Sequence, residues 1–250
     1  MALHGFLFGA NAQQNALTEL TPVSDETTFI AQNDLMVPDG HTDLCLAYAL
    51  GVNLDQAEFD SPSLRTLSRV SVPWTDHSIE PTDNLQVPGY LMNIPKVVPG
   101  EALNCYVKDS GGAANRKTVA LWMADGPIAP VSGQNSRLVR GSATFAAVPY
   151  EWSNGQIVLE TDLPQGRYAV IGMRVQGTTT IAARLIFPKQ GFRSMVLGTD
   201  SETQRMDDRF LNGSFGVMGE FQNFVPPRLE AYCAEADAKQ DVMLNVVKIG

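Results

Sequence analysis

Apolar and polar residues alternate along much of the chain, which is the pattern of a strand with one buried face. Between 167 and 175 every second residue from Ala169 to Val175 is apolar, while Arg174 falls on the other side. Positions 242, 244 and 246 repeat the pattern with valine, leucine and valine. Successive side chains of a strand point to opposite faces, so a period of two requires an extended chain. These segments are predicted to be half-buried strands.

Turn-forming pairs separate the alternating segments. Asx-Gly pairs accept the positive φ angles of tight turns, and the chain has four of them: Asp39-Gly40, Asp125-Gly126, Asn154-Gly155 and Asn212-Gly213. Pro-Gly pairs at 88–89 and 99–100 add further reversals. Helical periodicity is weak, and the best candidates for short helices are 54–59 and 203–210. Many short strands between such turns are typical of an antiparallel sandwich or barrel.

Eight strands are predicted in each half of the chain. In the second half they are 142–148, 156–161, 167–175, 178–187, 192–197, 214–220, 228–234 and 241–248. In the first half they are 4–8, 17–21, 27–31, 44–50, 66–72, 85–92, 103–108 and 118–123. Eight strands in about 110 residues is the number that a jelly roll has.

The predicted fold class is therefore all-β, with two antiparallel jelly-roll sandwiches in tandem. Residues 1–125 are predicted to form the first sandwich with an N-terminal arm, and 141–250 the second. The segment 126–140 begins with a stretch rich in Pro, Gly and Ser and is predicted to be a linker or a long surface loop. The halves share no sequence repeat, so any similarity between them is structural. One jelly roll with a long N-terminal arm is the alternative.

Charge argues against direct contact with nucleic acid. The net charge is −9, and the 18 Lys and Arg residues form no basic block, whereas phosphate-binding segments need clustered cations. Residues 1–64 contain no Lys or Arg at all. A basic patch assembled in three dimensions from Arg137, Arg140 and Lys117 stays open. No apolar run approaches the ~20 residues of a membrane-spanning helix.

The cysteines and histidines indicate neither a metal site nor a cofactor. Three widely spaced cysteines sit among apolar neighbours, which predicts free, buried thiols with no intramolecular disulfide: Cys45, Cys105 and Cys233. That usage fits folding in a reducing cytoplasm. The three histidines are far apart, and His77 has the most polar neighbourhood, with Asp76 and Ser78 beside it. The prediction is no metal and no cofactor.

No nucleophile, phosphate-loop or zinc motif occurs in the sequence, so no catalytic residue is assigned. The densest acidic group comprises Asp200, Glu202, Asp207 and Asp208, and the second comprises Asp55, Glu58 and Asp60. Both are interpreted as solvated or salt-bridged loops, with a weak divalent-cation site at subunit contacts as the alternative.

Arginine and aromatic residues in irregular segments point to a partner surface. Arginine outnumbers lysine twelve to six, and its planar guanidinium suits ion pairs at interfaces. Arginines that alternate with apolar residues, such as Arg174 and Arg184, are expected on sheet faces or at subunit contacts. The candidate interface residues are Arg209, Phe210, Phe215, Phe221, Phe224 and Arg228.

With its jelly-roll strand count, long loops and arm-like start at 10–17, the chain resembles the jelly-roll capsid proteins of small icosahedral viruses. The two-part layout is similar to the double jelly-roll coat subunits of tailless phages. The resemblance implies a structural, non-enzymatic capsid subunit that self-assembles into an icosahedral shell through strand-edge, loop and arm contacts. It implies trimers or multiples of trimers, other virion proteins as partners, and assembly of the virion in the host cytoplasm. Without a cationic arm, an internal membrane or another protein would face the genome.

Two other classes of function stay open. A carbohydrate- or receptor-binding β module, such as a spike or decoration protein, predicts an exposed aromatic platform that includes Trp74, Trp122 or Trp152. A β-sandwich hydrolase predicts two carboxylates that face each other across a cleft.

Overall fold

The chain folds as an all-β protein with two separate hydrogen-bonded sheets. The computed structural model describes residues 3–12, 15–23, 30–31, 34–67, 69–76, 89–90, 96–111, 115–131, 135–188, 190–199 and 210–250. Contacts within the chain define two compact units. Among the described residues, one comprises Leu3, His4 and those between Pro127 and Gly250, and the other comprises those between Gly5 and Asp76 and between Gly89 and Gly126. We call them the C-terminal and the N-terminal unit.

The strands in chain order are β1 (Leu3–Ala12), β2 (Leu17–Pro22), β3 (Ile30–Ala31), β4 (Asp34–Met36), β5 (Asp43–Gly51), β6 (Leu54–Asp60), β7 (Val70–Ser71), β8 (Trp74–Asp76), β9 (Gly89–Tyr90), β10 (Ala102–Asp109), β11 (Asn115–Ala124), β12 (Arg137–Thr144), β13 (Trp152–Leu159), β14 (Arg167–Gln176), β15 (Thr180–Ile186), β16 (Met195–Thr199), β17 (Gly219–Gln222), β18 (Arg228–Cys233) and β19 (Lys239–Lys248). A 3-10 helix, Pro62–Leu67, follows β6. No helix among the described residues combines the length and the apolar character needed to cross a membrane.

The C-terminal unit has the nested strand pairing of a jelly roll. Its first strand pairs with its last (β12 with β19), the second with the seventh (β13 with β18), the third with the sixth (β14 with β17) and the fourth with the fifth (β15 with β16), all antiparallel. Two four-stranded layers result, β12-β19-β14-β17 and β13-β18-β15-β16. The pairs β12–β13 and β14–β16 join the layers. Eight strands wound in this way form a jelly roll.

The N-terminal unit repeats the same pairing. Strand β1 lies beside β11, and β2 pairs with β10, β5 with β9 and β6 with β7. A parallel pair between β5 and β8 corresponds to the parallel pair between β14 and β16. The short strands β3, β4 and β8 are additions to the eight-strand scheme, and β4 pairs with one end of β10. The prediction of two tandem jelly-roll sandwiches is therefore confirmed.

Each unit has its own apolar core between its layers. In the N-terminal unit, Leu20, Cys105 and Phe59 lie opposite one another on β2, β10 and β6, and all are buried. In the C-terminal unit, Leu244 lies between Val139 and Met173, also buried. Burying a side chain of this size contributes about 1.5–3 kcal/mol, so the inward faces of the strands hold each sandwich together.

The structure contradicts the sequence-based prediction at several segments. Residues 54–59, the first candidate helix, form strand β6, because β10 pairs along the segment with one register shift between Lys108 and Asp109. The predicted strand 66–72 begins within the 3-10 helix and reduces to β7. The predicted strand 214–220 begins only at Gly219, since Gly213 and Gly216 have φ angles of 84° and 77° and turn the chain. Strand β12 begins at Arg137, inside the segment 126–140.

The turn at 210–216 lies against the outer surface of layer β12-β19-β14-β17. A Cβ atom on Gly172 of β14 would lie 2.3 Å from the carbonyl oxygen of Leu211. The side-chain amide of Asn245 on β19 donates a hydrogen bond to the same oxygen, at 2.9 Å. Only glycine permits this approach of backbone to backbone. Strand β14 is consequently buried on both faces at this point.

Candidate functional site

Three of the six candidate interface residues contribute to the core of the C-terminal unit. Phe210 and Phe215 are buried, and their ring centroids lie 5.0 Å apart. Phe221 is also buried and stacks on Tyr168 at 5.8 Å. Arg209 lies outside the described residues. The interface hypothesis therefore depends on the remaining two residues, Phe224 and Arg228.

Phe224 is the most exposed of the large apolar side chains in the described residues, with 74% of its surface accessible. It lies in the turn between β17 and β18, residues 223–227, which we call the Phe224 turn. Two other exposed apolar residues are Val225 and Val158, at 43% and 67%. Arg228, also exposed, follows the turn and contacts the Asn154 side chain. These residues form an apolar surface with a polar border, the composition of a protein interface.

Hydrogen bonds hold the Phe224 turn from both sides. The backbone N–H of Asn223 donates to the Gly166 carbonyl at 3.1 Å, and the N–H of Gly166 donates to the Asn223 side-chain oxygen at 3.1 Å. The N–H of Val225 donates to the Gln222 carbonyl at 2.8 Å. On the other side, the Gln156 amide donates to the Pro226 carbonyl at 2.9 Å. The exposed ring is thus carried by a fixed backbone.

A cleft of about 360 Å³ lies beside Phe224. Its apolar lining comes from β13, the segment after it, and the Phe224 turn: Ile157, Val158, Leu159, Leu163, Phe224, Val225 and Pro226. The polar part of the lining is Gln156, Thr161, Asp162 and Asn223. A cleft with this lining can accept an aromatic or aliphatic side chain.

A second group of functional interest is a buried ion cluster in the C-terminal unit. Glu230 on β18 accepts hydrogen bonds from Arg184 Nε at 2.9 Å and Nη2 at 2.6 Å. Arg193 Nη1 donates to the two Glu230 oxygens at 2.9 and 3.0 Å. Arg184 also covers the ring of Trp152 at 3.8 Å.

Arg184, which was expected on a sheet face or at a subunit contact, lies on the buried face of β15. It is 1% exposed, and Glu230 is 2% exposed. Sequence reasoning missed Glu230, although a lone carboxylate between Leu229 and Ala231 on a predicted strand signals a buried partner of opposite charge.

The described acidic and histidine candidates are engaged in local contacts. Asp55 pairs with Lys108 at 3.1 Å, and Arg69 lies 3.8 Å from Glu58 and 3.4 Å from Asp60. The acidic group Asp200, Glu202, Asp207 and Asp208 lies outside the described residues, as does His77. No group of three or more His, Cys, Asp or Glu residues in the described ranges is placed to hold a metal ion.

The other two histidines are buried. His4 Nδ1 accepts the backbone N–H of Arg193 at 3.1 Å. Burial lowers the pKa of His41, and a backbone hydrogen bond at Asp39 and the charge of Asp125 oppose that shift.

The tryptophans do not form the exposed platform that a glycan-binding module predicts, as far as their side chains are described. Trp122 is fully buried, and Trp152 is half-buried beneath Arg184. The side chain of Trp74 lies outside the description.

The postulated basic patch of Arg137, Arg140 and Lys117 does not include the lysine. Lys117 is fully buried and forms an ion pair with Asp109, which is buried as well. Arg140 lines a pocket of about 330 Å³ on the outer surface of layer β12-β19-β14-β17. Arg174 and Lys239 lie in the same pocket, together with two carboxylates, Glu160 and Asp241. The three cations of this pocket are therefore accompanied by two carboxylates and do not form a purely basic patch.

All three cysteines are free thiols in the interior. Burial raises the pKa of Cys45 to about 12 and that of Cys233 to about 11. Burial also raises the pKa of Cys105 well above the usual value. These thiols stay protonated and act as packing residues, because the thiolate is the reactive form of cysteine.

No family model and no curated protein matches the chain. Two solved structures that resemble it are viral. The major capsid protein P2 from bacteriophage PM2 is 8% identical, with 98% of each chain covered and a TM-score of 0.23. A chain of Sulfolobus Turreted Icosahedral Virus is 10% identical over 98% of this chain and 79% of its own length, also with a TM-score of 0.23. These scores are too low to carry an argument, so the fold assignment rests on the strand pairing.

Proposed function

We propose that this chain is a structural subunit of a viral capsid, which self-assembles into an icosahedral shell. The observation that carries the proposal is the duplicated topology. Two consecutive units of one chain have the same nested pairing of eight strands, and in each unit the third of these strands also forms a parallel pair. This arrangement is what the resemblance to double jelly-roll coat subunits leads one to expect, and it arises here without a sequence repeat.

The role we infer is structural and not catalytic. The described carboxylates that were candidates for chemistry lie in ion pairs with Lys108 and Arg69. The buried histidines and cysteines are packed within the units. The surface instead displays an exposed phenylalanine on a fixed turn, which serves contact between proteins better than it serves chemistry.

The partners we infer are further copies of the chain and other proteins of the virion, assembled in the host cytoplasm. Trimers or multiples of trimers are expected from the resemblance. Residues 1–64 contain no Lys or Arg, and Lys117 is buried in an ion pair. An internal membrane or another protein is therefore expected to face the genome.

Mass measurement tests this proposal directly. Native mass spectrometry and light scattering of the purified chain at micromolar concentration are expected to give trimers or larger assemblies of the 27.1 kDa subunit. Electron microscopy of the concentrated sample is expected to reveal closed shells or regular fragments of them. If the purified chain has the mass of a single subunit at every concentration from micromolar upwards, the proposal is overturned.

A further inference from the structure

We propose that the Phe224 turn and the cleft beside it form a two-fold contact between two copies of this chain. The inference rests on the proposed self-assembly and names a surface that carries it. In this contact, Phe224 of each copy inserts into the cleft of the other.

The Phe224 turn presents its side chain at a low entropic cost. The backbone is held by the hydrogen bonds of Asn223, Gly166 and Gln156, and two consecutive prolines, Pro226 and Pro227, restrict the chain beyond the ring. An aromatic residue on a preorganised backbone loses little freedom when it binds. Keeping 74% of a phenylalanine in water is unfavourable in an isolated chain. A partner that covers the ring removes this cost.

The surface is complementary to itself, which identifies the occupant as a second copy. A two-fold contact uses the same patch on both subunits, so that patch must supply both the inserted group and the cavity that receives it. Phe224, which forms one wall of the cleft, supplies the first, and the cleft of about 360 Å³, with Val158 and Leu163 also in its lining, supplies the second. That volume accommodates one aromatic side chain. Asp162 in the cleft and the exposed Arg228 after the turn have opposite charges, which suits reciprocal pairing across a two-fold contact.

The distribution of charge along the chain favours the same contact. Residues 1–126 hold 15 acidic and 6 basic side chains, whereas 127–250 hold 12 of each. The entire net charge of −9 therefore belongs to the first segment. Two copies of an acidic chain approach with least repulsion through their neutral parts, and the Phe224 turn lies in the neutral segment.

The test compares four forms of the full chain by sedimentation velocity. Phe224→Ala removes the inserted ring, and Val158→Glu places a charge in the cleft at a position that is 67% exposed. Val98→Ala is the matched control, because Val98 is also an exposed apolar residue (56%) whose backbone N–H is fixed, here by the Glu101 carboxylate at 2.9 Å. Thermal unfolding of all variants verifies that the fold is retained.

We expect Phe224→Ala and Val158→Glu each to weaken self-association about 30-fold or more, the loss typical of a central interface residue, and Val98→Ala to leave it unchanged. If wild-type chains associate but Phe224→Ala or Val158→Glu associates equally well, the two-fold contact is wrong while the proposed function stands. A monomeric wild-type chain overturns both.

Discussion

Removing the charge of Glu230 is expected to destabilise the C-terminal unit by about 3–5 kcal/mol. The variant Glu230→Gln keeps the shape of the side chain but removes the carboxylate that two arginines share. Arg184 and Arg193 are 1% and 8% exposed, so water cannot replace the lost charge. Each hydrogen bond between charged groups contributes about 1.5–3 kcal/mol. The four contacts share the two Glu230 oxygens, so their contributions are not additive. The expected range is therefore set by the cost of leaving two buried arginines without a counter-charge.

Hydrogen exchange during urea unfolding measures the stability of the C-terminal unit separately from that of the N-terminal unit. Peptides from β15 and β18 report the C-terminal unit, and peptides from β11 report the other, which is expected to stay unchanged. Glu220→Gln is the matched control, because Glu220 pairs with Arg167 at 3.4 Å while both side chains are about half exposed, and such pairs contribute about 0–1 kcal/mol.

Replacing all three charged residues separates the cost of a broken cluster from the contribution of an intact one. Arg184→Met, Arg193→Met and Glu230→Leu in one chain are expected to recover most of the loss, because apolar replacement of a complete buried cluster is often neutral. If Glu230→Gln costs no more than Glu220→Gln, the reasoning from buried charge is refuted.

Three further predictions concern reactivity, acid stability and packing. In the native protein at pH 8, a thiol reagent is expected to label none of the three raised-pKa cysteines and to label all three after denaturation without reductant; rapid native labelling or fewer than three thiols would contradict this. Burial lowers the pKa of His41, so the unfolded chain binds a proton at this residue before the folded chain does. The free energy of unfolding is therefore expected to fall as the pH drops below about 6.5. Between pH 7.5 and pH 5, the urea midpoint is expected to fall less for His41→Gln than for the wild type. Gly172→Ala is expected to cost about 1–3 kcal/mol by overpacking against Leu211, and an unchanged melting temperature would show that the turn at 210–216 can move away.

A fourth prediction in this group concerns the genome. Because the postulated basic patch loses Lys117 to a buried ion pair, the isolated chain is expected not to bind DNA or RNA at physiological salt. A fluorescence-polarisation titration that gives micromolar affinity with a steep salt dependence would contradict it.

The sequence determined which segments are strands and where several turns fall. Strands β14, β15, β18 and β19 lie close to their predicted bounds, because alternation and turn chemistry are local properties of the chain. The predicted turns at Asp39-Gly40 and Asn212-Gly213 have glycine φ angles of 79° and 84°. Asn154-Gly155 instead lies inside β13, where pairing with β18 overrides the local preference.

Only the tertiary structure decided what each strand and side chain meets. Residues 54–59 became a strand because β10, more than forty residues away, provides a partner, and a sequence window cannot contain that information. The same holds for Arg184 and Glu230, which are 46 residues apart and meet across β15 and β18. It holds also for the aromatic segment: the folding of 210–216 onto β14 buried Phe210 and Phe215, whereas the hydrogen bonds around Asn223 left Phe224 in water. Exposure is set by non-local packing, and residues of one type a few positions apart can therefore have opposite roles.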